Sequence, residues 1–281
     1  MGSIGLQGRA IGQSTLIPQH INAAKYGAYT YTTFLAQGTY LADTGYGPPV
    51  SPTAATVNLG FIPAEVGTSL PIVYSPINGP QTILAPVWNS TGLVVSGDLT
   101  DTLGVAYTLG AGADNVAKGK HVITVGVGQG SARVFFGKLT WKVADVSGVT
   151  TSFFGIRKVQ AMQTTLTGYT DLAGCGLVTT DGNVTTRTRL NNGTAVVTDT
   201  GYNWADGETH TVLVEVYLDG KVRITYDTYI VLDRIFTFDA GDTVVPFFDL
   251  LHATTSPGAM TWTAFTAGWH ANISVDAPPL A

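Results

Sequence analysis

The chain has 281 residues and a formal net charge of −5, and only 12% of its residues are charged. This share is about half of the roughly 25% that is usual for a soluble domain, so Thr, Ser, Asn, Gln and Gly must supply most of the polar surface. The 14 Lys and Arg are scattered, and phosphate binding needs clustered positive charge. No apolar run reaches the roughly 18 residues of a membrane span. We therefore expect neither a nucleic-acid partner nor a membrane partner.

Cys175 is the only cysteine, which excludes an intrachain disulfide and a cysteine-based metal cage. The N-terminus has no charged segment followed by an apolar one, so no secretion signal is visible. Production in the cytoplasm of a host cell is the expectation that follows. The histidines show no metal-ligand spacing, and we expect no cofactor. These histidines are His20, His121, His210, His252 and His270.

Up to about residue 110 the chain is rich in Pro and Gly, as in GYGPPVSPTAA, and it has few charges. Proline removes a hydrogen-bond donor and favours edge strands and extended chain. The pattern predicts an extended N-terminal arm with a few short strands over residues 1–110. Five tyrosines are candidates for contacts with a partner protein, since Tyr is enriched at interfaces; the alternative is a strand with core and surface tyrosines. These candidates are Tyr26, Tyr29, Tyr31, Tyr40 and Tyr46.

From residue 111 to 281 short runs of Val, Ile, Thr, Tyr and Phe alternate with turn residues, and amphipathic helix patterns are nearly absent. This pattern is typical of an all-β sandwich. We predict a jelly-roll-like sandwich of two antiparallel sheets. Strands are predicted at 121–127, 132–143, 152–158, 176–180, 184–190, 194–198, 209–217, 221–227, 243–248 and 260–269.

The segment ETHTVLVEVYLDGKVRITYD is the clearest hairpin in the sequence. A two-residue turn would place Val216 opposite Arg223 and mix core with surface positions. A three-residue loop ending at Gly220, in the left-handed conformation, instead pairs Val216 with Val222. In this register Glu215 lies opposite Arg223 on the outer face, where such a pair contributes roughly 0.2–1 kcal/mol.

The same hairpin holds the acids and the histidine that resemble a hydrolase site. His210 and Glu215 differ in strand parity, so they point to opposite faces. Glycosidases on a related sandwich fold carry paired carboxylates on one strand face, and positions 213 and 217, beside Glu215, are not acidic. We therefore expect no enzymatic activity. Asp239 and Asp242 in FDAGDTVVP leave two interpretations open, an Asx-type turn or a Ca²⁺ site.

The C-terminal half, over about residues 130–270, resembles the concanavalin-A-like (laminin-G-like) sandwiches of tailed-phage virion proteins. The markers are Trp204-Ala205-Asp206-Gly207 before a long strand, the Asp219-Gly220 hairpin and the late strand Val245-Pro246-Phe247-Phe248. The resemblance implies a virion structural protein, located on the capsid surface. Lectins of this fold bind Ca²⁺ through loop Asp and Asn residues.

The leading hypothesis from the sequence is a capsid decoration or cement subunit that stabilises a phage shell through protein–protein contacts. Its expected partners are the major capsid protein and two further copies of itself in a homotrimer. The alternative is a carbohydrate-binding module of a phage spike or fibre, with a glycan as the partner. In that case Trp204, Trp262 or Trp269 would stack on sugar rings.

Overall fold

The computed structural model describes residues 29–34, 55–57, 72–77, 87–89, 92–96, 103–109, 123–126, 133–161, 163–253 and 260–271. In these residues the chain forms β-strands and one short 3₁₀ helix, Leu166–Gly168. The strands are β1 (Tyr29–Phe34), β2 (Ala55–Val57), β3 (Ile72–Ile77), β4 (Val87–Asn89), β5 (Gly92–Ser96), β6 (Gly104–Leu109), β7 (Ile123–Thr124), β8 (Arg133–Val143), β9 (Val149–Lys158), β10 (Leu172–Leu177), β11 (Asn183–Arg189), β12 (Val196–Asn203), β13 (Thr209–Tyr217), β14 (Lys221–Tyr226), β15 (Tyr229–Thr237), β16 (Thr243–His252) and β17 (Met260–Ala271).

The strands form two antiparallel sheets that face each other. The first sheet has the order β15-β14-β13-β8-β17-β5-β4, and β1 also pairs with β17. The second has the order β12-β11-β10-β9-β16-β6-β3-β2, and β7 also pairs with β16. The prediction of an all-β, two-sheet antiparallel sandwich is thus confirmed. No helix in the described part of the chain has the length and hydropathy of a membrane span.

Large aromatic side chains fill the space between the two sheets, because alternate residues of each strand point inward. The rings of Trp141 and Phe248 lie 5.6 Å apart in an edge-to-face contact, and Phe248 contacts Trp262 at 5.1 Å. The Trp141 Nε1–H donates a hydrogen bond to the Ser152 Oγ of the opposite sheet at 2.9 Å. The core therefore satisfies the polar atom of its central tryptophan, as a buried indole requires.

The β13–β14 hairpin has the register that the sequence predicts. Val216 pairs with Val222 and Glu215 with Arg223. Gly220 has a φ of +83°, and its amide donates to the Tyr217 carbonyl at 2.9 Å. Glu215 is 8% exposed, so it is more buried than the outer-face pairing suggested. The ion pair of Arg223 that the structure shows joins its Nε to Asp233 Oδ1 at 2.9 Å.

The strand β15 is absent from the sequence-based prediction, which places no strand between 227 and 243. Its burial does not alternate, and Asp233 and Arg234 interrupt its apolar run. Two irregularities in its pairing with β14 explain this, because extra residues break the two-residue period. Arg234, with a φ of +59°, lies in one of them. By contrast, the prediction at 209–217 matches β13, and 132–143 is within one residue of β8.

Strands from before residue 110 pair in both sheets. On β6, Val105 and Tyr107 are fully buried in the main core. β3 pairs with β6, and β5 pairs with β17. Tyr29 and Tyr31 lie on β1, whose backbone pairs with β17; Tyr26, Tyr40 and Tyr46 lie outside the described residues. The division of the chain at residue 110 stays a prediction, as does the role of the five tyrosines.

We expect Gly220→Ala to lower the free energy of unfolding by about 2–4 kcal/mol. A Cβ at this position would lie 2.2 Å from the Phe238 carbonyl oxygen, and the left-handed backbone adds strain. Urea denaturation followed by circular dichroism measures the change.

The matched control is Gly241→Ala. Gly241 also has a positive φ, +92°, but a Cβ there meets nothing within 4 Å. Its expected loss is about 1 kcal/mol, from the backbone strain alone. Equal losses for the two variants would contradict the steric argument at Gly220.

Candidate functional site

The histidine of the hairpin is held by two carboxylates. His210 Nδ1 lies 2.7 Å from Asp227 Oδ2, and His210 Nε2 lies 3.1 Å from Glu208 Oε2. The two carboxylates lie against the two ring nitrogens of His210, so both polar atoms of the imidazole have a partner within this cluster.

The surroundings of His210 indicate a structural role for the cluster of Glu208, His210 and Asp227. Its ring stacks on Tyr226 at 5.0 Å and meets the edge of Trp204 at 4.7 Å. The Glu208 carboxylate accepts a hydrogen bond from the Ala205 amide, and this bond, with the contact to His210, lowers its pKa. The cluster fixes the turn between β12 and β13.

Two of the tryptophans that were expected to stack on sugars are in the core. Trp204 is 1% exposed and Trp262 is fully buried. That expectation is wrong for both, because both rings lie between the sheets, where they contact other aromatic rings. The side chain of Trp269 is outside the described residues.

The remaining sequence candidates are structural in the described part of the chain. Cys175 is fully buried, and burial raises the pKa of its thiol. Asp242 forms an ion pair with Lys158 at 2.5 Å, and Asp239 accepts from Asn191 at 2.7 Å. The Asp242 amide also donates to the Asp239 carbonyl, which closes a turn. No three His, Cys, Asp or Glu side chains within the described ranges could hold a metal ion together.

A pocket opens on the outer face of the second sheet, the face that points away from the first sheet. We call it the polar pocket, and its volume is about 340 Å³. All its side chains are carboxylates or carboxamides, and this composition suits a ligand rich in hydrogen-bonding groups. Its lining residues are Asp181, Asn183, Asp199, Gly201 and Asn203.

A bulge in β12 shapes the polar pocket. Asn203 pairs with Asn183 across the β11–β12 ribbon, but Asp199 pairs with Thr185, so β12 has two extra residues between. Gly201, with a φ of +75°, lies in this bulge, and its amide donates to Asp199 Oδ1 at 2.7 Å. Bulges often aim side chains at a ligand. The sequence-based prediction does not include this site, because the residues of β11 and β12 come together only through the pairing of the two strands.

The two carboxylates of the polar pocket are partly satisfied by the chain itself. Asp181 Oδ1 accepts from the Thr179 hydroxyl at 2.6 Å and from the Asn183 amide at 3.0 Å. These bonds lower the pKa of Asp181, so it is ionised at neutral pH. The Oδ2 atoms of Asp181 and Asp199 make no bond within the described residues, which leaves each of them available to a ligand.

A second polar cluster lies on the same face, next to residues 163–171. Arg157 is 1% exposed; it donates to Thr108 Oγ1 at 2.7 Å, and its guanidinium lies over the Tyr169 ring at 4.8 Å. Tyr169 donates to Asp249 Oδ1 at 3.4 Å. Asp249 is buried and its Oδ2 has no partner within the described residues. Burial raises the pKa of Asp249 to about 7, although Arg157 and Tyr169 act in the opposite direction.

No family model and no curated protein matches the chain. Solved structures with a similar fold include the potassium-bound carbohydrate recognition domain of Emp46p, at 7% identity and a TM-score of 0.46, covering 69% of this chain and 88% of that one. Carbohydrate binding module CBM66 from Bacillus subtilis has 10% identity, a TM-score of 0.38, and coverage of 70% and 94%. An alginate lyase from Alteromonas sp. 272 has 15% identity, a TM-score of 0.38, and coverage of 60% and 79%. These likenesses concern the fold alone.

We expect Asp249→Asn to raise the free energy of unfolding relative to the wild type, and to raise it more at pH 8 than at pH 5. The folded state keeps the Asp249 proton up to about pH 7, whereas an unfolded Asp loses it near its usual pKa of 3.8. The folded state therefore loses stability as pH rises between these values. At pH 8 the cost approaches roughly 4 kcal/mol, at 1.36 kcal/mol for each unit of the shift.

Urea denaturation of both proteins from pH 4 to pH 9 tests this prediction. The measured quantity is the difference between the two free energies of unfolding, in which the other titrating groups cancel. A difference that does not change with pH would show that Asp249 titrates alike in the folded and unfolded states.

Proposed function

We propose that this chain is a carbohydrate-binding protein and that its sandwich binds a saccharide in the polar pocket. The observation that carries the proposal is the composition of this pocket. Asp and Asn side chains, which line it, accept and donate the hydrogen bonds that sugar hydroxyl groups offer. An apolar ligand would leave these polar groups unpaired, and this would cost free energy for each of them.

The free hydrogen-bonding capacity of the polar pocket supports this function. The side chains of Asn183 and Asn203 make no hydrogen bond within the described residues, and each offers a donor group and an acceptor oxygen. Asp181 and Asp199 each add a carboxylate oxygen, to which a sugar hydroxyl can donate a charge-assisted bond. The volume of about 340 Å³ lies at the small end of the range for ligand pockets, and fits one or two sugar units better than a large ligand.

The sequence-based hypothesis of a capsid decoration subunit is the second candidate. The observation that favours a protein partner is an apolar edge, where five large apolar side chains are exposed on the edge strands of both sheets. β12 ends the second sheet and β15 ends the first. The two strands lie on the same side of the sandwich, where Tyr202 of β12 stacks on Tyr229 of β15 at 5.0 Å. The apolar edge consists of Val196, Val197, Tyr229, Ile230 and Ile235, with exposures of 47–85%.

We expect Asp199→Asn to weaken saccharide binding about tenfold, since a charge-assisted hydrogen bond to the ligand becomes a neutral one. The Asn side chain still accepts from the Gly201 amide, so the bulge keeps its shape. A glycan array identifies the ligand, and isothermal titration calorimetry of wild type and variant measures the change, with Ca²⁺ and with a chelator.

The matched control is Asp233→Asn, the same substitution on an exposed side chain of the first sheet. It should leave the affinity unchanged. If both variants bind as the wild type does, the saccharide binds elsewhere. If no saccharide on the array binds the wild type, the carbohydrate-binding proposal is wrong.

We expect Ile235→Lys to reduce self-association if the apolar edge joins copies of the chain. Ile235 is the most exposed of the five side chains, at 85%, and a buried lysine charge would oppose the contact. Native mass spectrometry of both proteins measures the oligomeric state. A wild-type protein that stays monomeric at high concentration would contradict the predicted homotrimer.

A further inference from the structure

Arg187 lies on β11, and within the described residues no hydrogen bond, ion pair or ring contact involves its side chain. Its Nε is buried and has no hydrogen-bond partner there. The residue as a whole is half-buried, and burial, together with the nearby charge of Arg189, lowers the pKa of Arg187. A cation that is removed from water without a partner is costly, so its position needs an explanation.

The neighbours of Arg187 in the sheet explain why it is unpaired. On one side it pairs with Gly174 of β10, which has no side chain, and on the other side with Val197 of β12, which is apolar. Along its own strand the next residue on the same face is Thr185, whose hydroxyl lies 3.5 Å from the Gly176 carbonyl. The nearest carboxylate across the ribbon is that of Asp199, which pairs with Thr185 and so lies diagonally from Arg187. Its Oδ1 accepts from the Gly201 amide, and no ion pair between Asp199 and Arg187 occurs in the described residues.

Arg189, the next basic residue along β11 on this face, is different. Its guanidinium donates to the carbonyl of Tyr169 at 2.9 Å, to that of Gly193 at 2.7 Å and to Asn192 Oδ1 at 2.8 Å. It is therefore a structural residue that holds the loop after β11. Of these two arginines, Arg187 is the one whose side chain makes no hydrogen bond within the described ranges, and its donors are therefore available to a ligand.

Arg187 and the polar pocket lie on one face of the same strand. Residues 183, 185 and 187 alternate with the core residue Val184 and so share the outer face. Asn183 lines the polar pocket, and Arg187 lies four residues farther along, about 14 Å at 3.4 Å per residue. These residues form a polar stripe, with Asp181 and Asn183 at one end, Asp199 beside Thr185 in the middle and the guanidinium of Arg187 at the other end.

We propose that Arg187 binds an anionic group, a carboxylate or a sulfate, of an oligosaccharide whose uncharged unit occupies the polar pocket. The proposal rests on the carbohydrate-binding function and narrows it to acidic glycans. A planar guanidinium binds such oxygen anions through two parallel hydrogen bonds. The carboxylates of the polar pocket repel an acidic unit, so the charge along the stripe orients the ligand.

The experiment uses a glycan array of the full chain with matched pairs of oligosaccharides. One set pairs oligogalacturonates with their methyl esters, and the other pairs sulfated carrageenan oligosaccharides with their desulfated forms. The first set tests a carboxylate and the second a sulfate. We expect the acidic member of at least one set to bind tenfold or more tightly than its neutral match.

The variant Arg187→Gln should remove this preference and weaken binding of the acidic ligand about tenfold to a hundredfold in calorimetry. Binding of the neutral match should stay unchanged. The control Arg234→Gln makes the same change of charge on β15 of the other sheet, and should not alter either affinity. Arg187→Gln should also unfold at the same or a higher temperature than the wild type, because the variant loses an unpaired cation. A lower unfolding temperature would indicate a structural role.

Two results would overturn the proposal and leave the carbohydrate-binding function intact. One is tight binding of neutral glycans only, abolished by Asp199→Asn. The other is a preference for acidic glycans that Arg187→Gln and Arg234→Gln reduce equally. An array without any bound glycan would overturn both the function and this inference.

Discussion

The contact between Trp204 and Trp141 ties the edge strand β12 to the core of the sandwich. Their ring centroids are 4.8 Å apart, and Trp204 follows directly after the last residue of β12. The Trp204 amide donates to the Gly182 carbonyl at 2.7 Å, which closes the β11–β12 ribbon at the same point. An edge strand has a neighbour on one side only. Without this anchor, β12 would be free to shift, and the polar pocket that it shares with β11 would lose its shape.

The same anchor gives a structural role to the acids and the histidine of the β13 segment. Glu208 accepts a hydrogen bond from the backbone beside Trp204, and His210 packs on the Trp204 ring. The charged residues that most resemble a catalytic site therefore hold the turn that follows β12 and positions the β11–β12 ribbon. In our proposal, the protein binds its ligand through the neighbouring side chains of the polar pocket, which form hydrogen bonds and do not react.

The sequence predicts the fold best where strands alternate regularly. The β13–β14 hairpin follows from one parity argument and the conformational freedom of Gly220, and the structure has that register. Regular alternation is lost in β15, because its extra residues change which side chains point inward. The prediction is also too short at β12, where it places a strand at 194–198 and the structure has Val196–Asn203, because the bulge around Gly201 interrupts the regular pattern.

The candidate site is invisible in the sequence for a related reason. The polar pocket combines residues of two strands, and their proximity depends on the pairing of β11 with β12, which no local pattern reveals. Arg187 is one of several scattered arginines, and only its neighbours Gly174 and Val197 distinguish it. A missing partner is a property of the three-dimensional arrangement. Sequence patterns indicate which groups are present and do not indicate which of them are unsatisfied.

The irregular backbone of β15 also limits how the apolar edge can be used. A flat edge strand would let copies of the protein add to one another without end, as strands do in fibrils. The extra residues of β15 interrupt the ladder of free amide and carbonyl groups, and Ile235 projects from one of these irregularities. A neighbour can therefore dock on this edge through its side chains but cannot extend the sheet. Any assembly built on the apolar edge would therefore depend on side-chain contacts, and it would bring together several copies of the sugar site that we propose on the adjacent face.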